Sequence, residues 1–278
     1  MRHVLEYALL RGFLGVCAVL PVDAASGMGA VILGAIGPRM GISRTARANI
    51  ERAFPEWTPA QVKACVGGIW RHFGRVIAEY PHLETIARSR VTYLNLEVFE
   101  ALRGRTVLFV SGHIGNWEVM PPALLLGQGI TMHSAYRAPN NPLVDRLIVR
   151  LRGFGGRLKS FGKHRKGLAE ILRALEGGES VGMLIDQKMN TGIEVPFFGR
   201  PAMTSTAFVE LARKTGCPLV PGHIARTKGC HFVFSLEPPI AVAGRETETV
   251  VREMHGFLER WIRATPEQWL WMHRRWKS

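Results

Sequence analysis

His113 and Glu118 are the two residues whose types and spacing most directly suggest catalysis, in the stretch SGHIGNWE at residues 111–118. On a continuous helix a spacing of five residues places two side chains about 140° apart, where they do not meet. They can meet if His113 ends a strand and Glu118 lies in the first helical turn after it. Gly112 and Gly115 permit such a turn, since glycine tolerates left-handed backbone angles. The Glu118 carboxylate would then accept the imidazole N–H and leave the other ring nitrogen as a general base.

A His–carboxylate pair without an adjacent nucleophile is typical of an enzyme that deprotonates a substrate hydroxyl. On spacing alone, a structural histidine is the alternative. Ser111 lies on the same side of an extended strand as His113, but it belongs to no recognisable triad. Residues 178–182 match the hydrolase pattern G-x-S-x-G, which needs its serine on a strand-to-helix turn. Ser180 instead opens an apolar run, so we interpret this match as chance.

The segments around the motif alternate between predicted strands and predicted helices. A β-rich segment at residues 106–111 leads into the motif and predicts a strand. Further strands are predicted at residues 130–136, 180–185, 218–224 and 231–236. Helices are predicted at residues 59–80, with a capping box at Thr58, and at residues 116–126, 142–152, 166–175, 205–214 and 249–263. This alternation predicts an α/β domain over residues 41–278, with a largely parallel central sheet flanked by helices.

An apolar N-terminal segment, residues 1–40, precedes this domain. Between residues 12 and 38 the only charged side chain is Asp23, and Pro21 separates two apolar runs. We predict a retained membrane anchor that either spans the bilayer or lies in its interface. The basic residues that follow would keep the rest of the chain on the cytoplasmic side. A cleaved signal peptide and a buried pair of core helices are the alternatives.

Composition limits the classes of partner and of fold. The chain has 278 residues, 47% of them hydrophobic, which excludes an intrinsically disordered protein. Its formal net charge of +14 predicts anionic partners such as nucleic acid, acidic lipid or an acidic protein. The four cysteines form no C-x-x-C pair, which argues against a structural zinc site and a disulfide scaffold.

Positive charge is concentrated in the basic stretch, residues 137–173, where ten Lys and Arg residues oppose only Asp145 and Glu170. An ordinary solvated surface is one interpretation. Together with the apolar N-terminus, however, the density favours a surface that meets anionic lipid or an acidic carrier protein.

A nucleic-acid-binding protein without catalysis is the alternative from another functional class. Four tryptophans near the C-terminus alternate with basic residues, and such rings can stack on bases. They are equally suited to a membrane interface. No nucleic-acid-binding motif is recognisable, and this alternative leaves the apolar N-terminus unexplained. We therefore predict no nucleic-acid partner.

The motif at residues 111–118 resembles the H-x4-D/E motif of the lysophospholipid acyltransferase superfamily, in the form found in bacterial lipid A biosynthesis acyltransferases. Other stretches resemble that family in the same order along the chain. They are NIERAFPE at 49–56, YRAPNNP at 136–142, LIDQ at 184–187, GIEVPFFGRPA at 192–202 and PEQWLWMHRRWK at 266–277.

This resemblance implies transfer of a fatty acyl chain from an acyl carrier protein or acyl-CoA thioester to a hydroxyl of a lipid A precursor. The reaction would take place at the cytoplasmic face of the inner membrane. His113 would be the base and Glu118 its orienting partner, and the hydroxyl would attack directly, with no metal or other cofactor. Another anionic glycolipid acceptor, of the phosphatidylinositol mannoside type, is the alternative substrate.

Four further residues are candidates for binding substrate. Arg137 is the candidate donor to the oxyanion, with a salt bridge to Asp145 as the alternative. Asp186 and Gln187 end an apolar strand, the usual place for function in a parallel sheet. Arg200 lies in a loop before a predicted helix and is a candidate phosphate ligand, or it positions that loop.

Overall fold

The computed structural model describes residues 1–162 and 165–276, which form a seven-stranded sheet covered by helices on both faces. Lys163 of the basic stretch and Lys277 of the last family-like stretch lie outside the described residues. The strands of the sheet are β1 (Val91–Leu94), β2 (Leu108–Ser111), β3 (Met132–Tyr136), β4 (Ser160–Gly162), β5 (Ser180–Leu184), β8 (Leu219–Arg226) and β9 (Phe232–Leu236), while β6 (Ile193–Phe197) and β7 (Arg200–Thr204) form a separate hairpin. The strand order in the sheet is β1-β9-β8-β2-β5-β3-β4, and all neighbours are parallel except β8 and β9.

Eleven α-helices are assigned in the described residues. They are α1 (Arg2–Val19), α2 (Val22–Ile36), α3 (Ser43–Ala53), α4 (Pro59–Ala78), α5 (Leu83–Ser89), α6 (Leu96–Leu102), α7 (Met120–Ala123), α8 (Pro142–Arg152), α9 (Arg165–Glu176), α10 (Ala207–Thr215) and α11 (Thr247–Ala264). The predicted capping box begins α4, with the Thr58 hydroxyl accepting from the backbone N–H of Gln61. The α/β class and the largely parallel sheet are therefore confirmed.

The two faces of the sheet carry separate apolar cores, as expected when parallel strands are covered on both sides. In β2, Leu108 and Val110 pack with helices α3, α4, α9, α10 and α11. Phe109, which points to the opposite face, packs in a second core with α5, α6 and α7. This second face also carries the cavity described below.

Each of the five predicted strands is present, but two strands of the sheet and the hairpin were not predicted. β4 has only three residues, and β1 alternates between half-buried and exposed positions, so neither gives a strong apolar pattern. The hairpin strands contain Pro196 and Pro201, which masked their extended character. The helix predicted at residues 116–126 is instead a 3₁₀ turn at Trp117–Val119, the short α7 and a π-helical turn at Leu124–Gln128.

The apolar N-terminal segment forms α1 and α2, which are separated at Pro21. One face of α2 packs on α4 so closely that a Cβ on Gly29 would collide with the backbone of Gly74. Other apolar side chains of this region are exposed: Val4, Leu5, Leu9, Val16, Val19, Val31, Ile32, Ile36, Met40 and Ile42. The segment is thus neither fully buried nor separate from the core.

No single helix within residues 1–162 and 165–276 combines the length and apolarity that a bilayer crossing requires. Residues Val22–Arg39 and Ser43–Ala53 meet those criteria only as a pair, and they are bent by 86°. The structure therefore does not support one straight anchoring helix. The domain boundary near residue 40 stays a prediction.

Candidate active site

His113 lies immediately after β2, in a loop that two glycines allow to fold tightly. Gly115 has φ +59°, and a Cβ at this position would collide with the carbonyl of Ile224 in β8. A Cβ at Gly112 would lie 2.8 Å from a methyl group of Leu258 and 3.2 Å from a carboxylate oxygen of Asp186. The glycines are therefore needed both for the turn and for close packing around it.

The imidazole of His113 bonds to Asp186, which follows β5 on the neighbouring strand. The Nδ1–H group donates to Asp186 Oδ1 at 2.8 Å, and the backbone N–H of His113 donates to Oδ2 at 2.8 Å. Asp186 is fully buried, and burial alone would raise its pKa, but the charge of His113 and the hydrogen bonds from it outweigh burial and lower the pKa. The carboxylate fixes the ring orientation and, in the neutral imidazole, favours the tautomer with the proton on Nδ1, so that Nε2 can accept a proton.

A C-terminal segment supports this pair from behind. Trp269 Nε1 donates to Asp186 Oδ2 at 2.7 Å, and the His273 ring contacts the Asp186 carbonyl at 3.2 Å. The backbone N–H of Leu270 donates to the His113 carbonyl at 3.1 Å. The C-terminal tryptophans are buried, so they are part of the packing behind His113 and are unable to stack on an external ligand.

The prediction that Glu118 orients the imidazole is wrong. Its Oε2 accepts from Arg152 Nε at 2.6 Å, and its Oε1 accepts from Arg152 Nη2 and, at 2.8 Å, from Trp117 Nε1. Burial would raise the pKa of Glu118, but the adjacent guanidinium outweighs it and lowers the pKa. The Tyr80 hydroxyl accepts from Arg152 Nη2 at 3.3 Å and completes the cluster. A buried charge requires a counter-charge, and for Glu118 this is Arg152.

Arg152 was not predicted as a site residue, although it lies in the basic stretch. It is the last residue of α8, and its guanidinium stands 5.4 Å from the centre of the Tyr136 ring. A pattern that pairs residues 118 and 152 is not readable from one sequence, because α8 and the motif meet only in three dimensions.

The other predicted binding residues separate into two groups. Gln187 and Arg137 line the same cavity as His113. The Asp145 carboxylate accepts from the Tyr136 hydroxyl at 2.8 Å, so its hydrogen bond goes to a residue other than Arg137. Arg200 does not line this cavity: its Nε donates to the Arg52 carbonyl at 3.0 Å and attaches the hairpin to α3, while its role as a phosphate ligand stays a prediction. Asp186, predicted to bind substrate, contacts His113 instead.

The two serines that could act as nucleophiles, Ser180 and Ser111, lie at different distances from His113. Ser180 begins β5, and its hydroxyl accepts from the backbone N–H of Val107 at 3.0 Å. Ser180 thus lies at the end of β5 that is away from His113. This position agrees with the interpretation that the G-x-S-x-G match is chance. Ser111 is buried, lines the cavity, and donates to the Gly112 carbonyl at 3.4 Å.

A cavity of about 410 Å³ opens beside His113, which is within the usual size range of small-molecule sites. Aromatic, proline and methionine side chains supply one part of its wall, including Phe109, Met120, Pro121, Pro122, Met132 and Phe154. Polar and basic residues are grouped on the rest: Ser134, Arg137, Asn140, Arg152, Lys159 and Gln187. The arrangement can take a ligand with an apolar chain and a polar or anionic head next to a base.

A third buried carboxylate, Glu79, connects the motif loop to the N-terminal helices. It accepts from Asn116 Nδ2 at 2.7 Å, from Ser26 Oγ at 2.6 Å and from both terminal nitrogens of Arg226. Burial would raise the pKa of Glu79, but Arg226 and these donors lower it. Since Ser26 belongs to α2, the apolar segment and the loop that carries His113 share one buried polar cluster.

The chain is similar to several known acyltransferases. The family model for bacterial lipid A biosynthesis acyltransferases matches residues 1–278. A lipid A biosynthesis acyltransferase of Haemophilus influenzae is 26% identical over 256 residues, covering 85% of this chain and 76% of that protein. A lipid A biosynthesis myristoyltransferase of Escherichia coli is 28% identical over 260 residues, covering 86% and 77%. A phosphatidylinositol mannoside acyltransferase of Mycobacterium tuberculosis is 24% identical over 166 residues, covering 59% and 52%.

Proposed function

This chain belongs to the bacterial lipid A biosynthesis acyltransferase family, and from that premise we propose that it transfers a fatty acyl chain to a hydroxyl of a lipid A precursor. The donor is an acyl carrier protein thioester or an acyl-CoA. One observation carries the proposal: His113, oriented by a buried carboxylate, faces a cavity with an apolar wall and a basic side. A hydroxyl acceptor needs a base. An acylated, anionic substrate needs an apolar wall for its acyl chain and basic side chains for its negative charge.

In the proposed reaction, Nε2 of His113 takes the acceptor's hydroxyl proton while the oxygen attacks the thioester carbonyl carbon. The new C–O bond forms, the C–S bond breaks, and the imidazolium returns its proton to the departing thiolate. Asp186 stabilises the imidazolium through the Nδ1–H hydrogen bond. Because the thioester is a co-substrate and the hydroxyl attacks directly, the reaction uses no acyl-enzyme, metal or resident cofactor.

Negative charge develops on the carbonyl oxygen during the attack, so a donor near the base would lower the barrier. Arg137 remains our candidate, since it is exposed and lines the cavity mouth. The same positive charge suits the phosphate groups of an anionic glycolipid acceptor.

We further propose that the exposed apolar side chains of α1 and α2 lie in the interface of the inner membrane, with the catalytic domain on the cytoplasmic side. Apolar insertion persists at high salt, whereas a purely electrostatic attachment is screened. Leu5→Glu with Leu9→Glu should therefore abolish flotation with anionic vesicles at high salt. Leu94→Glu is the control, because Leu94 is exposed elsewhere on the molecule. Release of the wild-type protein by salt would favour the nucleic-acid or peripheral alternative.

The basic stretch is proposed as the docking surface for an acidic carrier protein. Arg146 and Arg150 are exposed on α8, and Lys166 is exposed at the start of α9. Charge complementarity of this kind raises the association rate more than it raises the affinity of the final complex.

Mass spectrometry of lipid A from cells with and without the gene, in an organism that makes lipid A, tests the proposed function. We expect one acyl group fewer without the gene and restoration by the wild-type protein but not by His113→Ala. An unchanged lipid A profile with a changed phosphatidylinositol mannoside profile would favour the second acceptor, to which the mycobacterial relative draws attention. No change in either glycolipid would overturn both proposed acceptors.

A further inference from the structure

Three strands supply one wall of the cavity, and their register orders the lining residues by depth. Ser111 pairs with Leu184 at the edge that carries His113, and Phe109 pairs with Gly182 one row further from that edge. Ser134 of β3 is in the same row as Gly182, and Met132 is one row deeper, opposite Ser180. Alternate residues on a strand are roughly 7 Å apart, so Met132 begins about 13 Å below the catalytic edge.

Met132 is the deepest cavity-lining residue on these three strands, and it is buried. Its side chain does not run straight across the sheet but lies over Gly182 on β5. A Cβ built on Gly182 would be 2.7 Å from the Met132 sulfur and 3.0 Å from its terminal methyl group. The Met132 thioether thus occupies the space that a side chain at position 182 would fill.

The apolar part of the lining forms a path toward this contact. Phe109 lies beside Gly182 in the middle row, and Met120 of α7 covers the same face of the sheet. The polar lining residues Ser134 and Ser160 pair with each other on β3 and β4, and both lie on the far side of Gly182 from Phe109. An alkyl chain that starts at His113 can follow apolar atoms along the strip between β2, β5 and α7.

From these contacts we infer that Met132, packed on Gly182, is the floor of the acyl-chain pocket and sets the upper limit of donor chain length. The inference rests on the proposed acyl transfer and specifies its donor. A methionine is suited to this position because its flexible thioether adapts to the end of a hydrocarbon chain. A floor discriminates sharply, because one methylene too many in a closed apolar pocket changes rates by about 10-fold to 200-fold.

Two substitutions change the floor in opposite directions. Met132→Ala removes the thioether and deepens the pocket, so the ratio of rates for the next longer even-numbered donor over the wild-type optimum should rise about tenfold or more. Gly182→Ala pushes the Met132 side chain into the cavity, so the preference should move to a shorter donor. In the double variant the alanine methyl meets no thioether, and the preferred length should return toward the wild-type value.

The experiment measures initial rates with acyl thioesters of graded even chain length for the wild type and these three variants. Val181→Ala is the control, because Val181 is equally buried on β5 but belongs to the core on the other face of the sheet. Its length profile should match the wild type. Unchanged length profiles in both Met132→Ala and Gly182→Ala, with transfer intact, would overturn the inference while leaving the proposed function in place.

Displacement of a fluorescent fatty acid by fatty acids of graded length distinguishes failure of the chain-length inference from failure of the proposed function. If the wild-type protein transfers no acyl group, the proposed function fails, and the length dependence of binding still tests the floor. Tighter binding of longer chains by Met132→Ala supports it, and an unchanged binding order overturns it. The same assay serves any variant that folds but has lost turnover.

Discussion

The carboxylate of Asp186 bonds to His113 at two points, the backbone N–H and the imidazole Nδ1–H, each at 2.8 Å. This bidentate contact connects the ends of β2 and β5, which are neighbouring parallel strands. It determines both where the imidazole lies and which of its nitrogens carries the proton. Glu118, five positions along the chain, instead forms an ion pair with Arg152.

The first prediction concerns this contact. His113→Ala should lower the rate by about 10²–10⁴-fold, the usual contribution of a general base. Asp186→Asn should also lower kcat strongly, with a smaller effect on KM, because the amide no longer stabilises the imidazolium. Rates at saturating donor and acceptor over a range of pH test this, since loss of the carboxylate should also move the acid limb of the profile. Asp145→Asn, in which the altered carboxylate contacts Tyr136, is the control.

The second prediction assigns Glu118 to stability. Glu118→Gln leaves the Arg152 guanidinium without its counter-charge, which costs about 3–5 kcal/mol when a buried pair is broken. Urea unfolding should show this loss, and adding Arg152→Leu should recover part of it, because no unpaired charge then remains. A Glu118→Gln variant with unchanged stability but no activity would contradict this role and return Glu118 to the catalytic step.

The third prediction separates direct transfer from a covalent intermediate. Ser111→Ala should keep most of the activity, because the Ser111 hydroxyl donates to the Gly112 carbonyl and is not needed to carry the acyl group. Intact-protein mass after mixing enzyme with donor alone should remain that of the free chain. A stable added acyl group on Ser111 or on a cysteine, removed by acceptor, would establish an acyl-enzyme instead.

The fourth prediction is a dependence of stability on pH. His72 is buried in α4, and its Nε2–H donates to the Gly115 carbonyl at 2.9 Å. Burial, assisted by the charge of Arg226, lowers the pKa of His72 to about 4, whereas an unfolded histidine has a pKa of about 6.5. Between these values His72 binds a proton in the unfolded chain but not in the folded chain. The free energy of unfolding should therefore fall as the pH decreases from about 6.5 to about 4.

Urea unfolding across this window measures the effect of His72. Each extra bound proton contributes a slope of about 1.4 kcal/mol per pH unit, so His72→Gln should reduce the slope by up to that amount. Glutamine keeps a donor for the Gly115 carbonyl and does not titrate. The slope measured for His72→Gln is compared with that for a variant of the buried His255, whose pKa is lowered to about 3 by burial and by the charge of Arg275. An unchanged slope in His72→Gln would show that His72 is already charged in the folded protein.

The fifth prediction tests the proposed docking surface. Arg150→Glu with Lys166→Glu should raise KM for a carrier-bound donor at low salt and leave KM for acyl-CoA nearly unchanged. The difference should shrink as salt rises, because exposed charges are screened. Lys214→Glu, on the exposed part of α10, is the control. Equal KM values for the carrier donor in both variants would identify the basic stretch as an ordinary solvated surface.

Local sequence patterns were enough to predict the fold class and to single out His113 as the candidate base. Apolar β-rich runs between helical segments predict a parallel sheet, and each predicted strand is present, because period and composition are local properties. His113 could be identified because glycines on both sides mark a tight turn after an apolar strand. The capping box at Thr58 is equally local, and it was predicted at the residue where α4 begins.

The carboxylate that contacts His113 could not be identified without the tertiary structure. A spacing of five residues suggested Glu118, but the order of strands puts β5 beside β2 and so brings Asp186, 73 positions away, to the imidazole. Arg152, at the end of α8, bonds to Glu118 because the packing of α8 brings it next to the motif. The partner of a charged group depends on which elements meet in space. Strand order and helix packing carry that information, and no local pattern in a single sequence contains it.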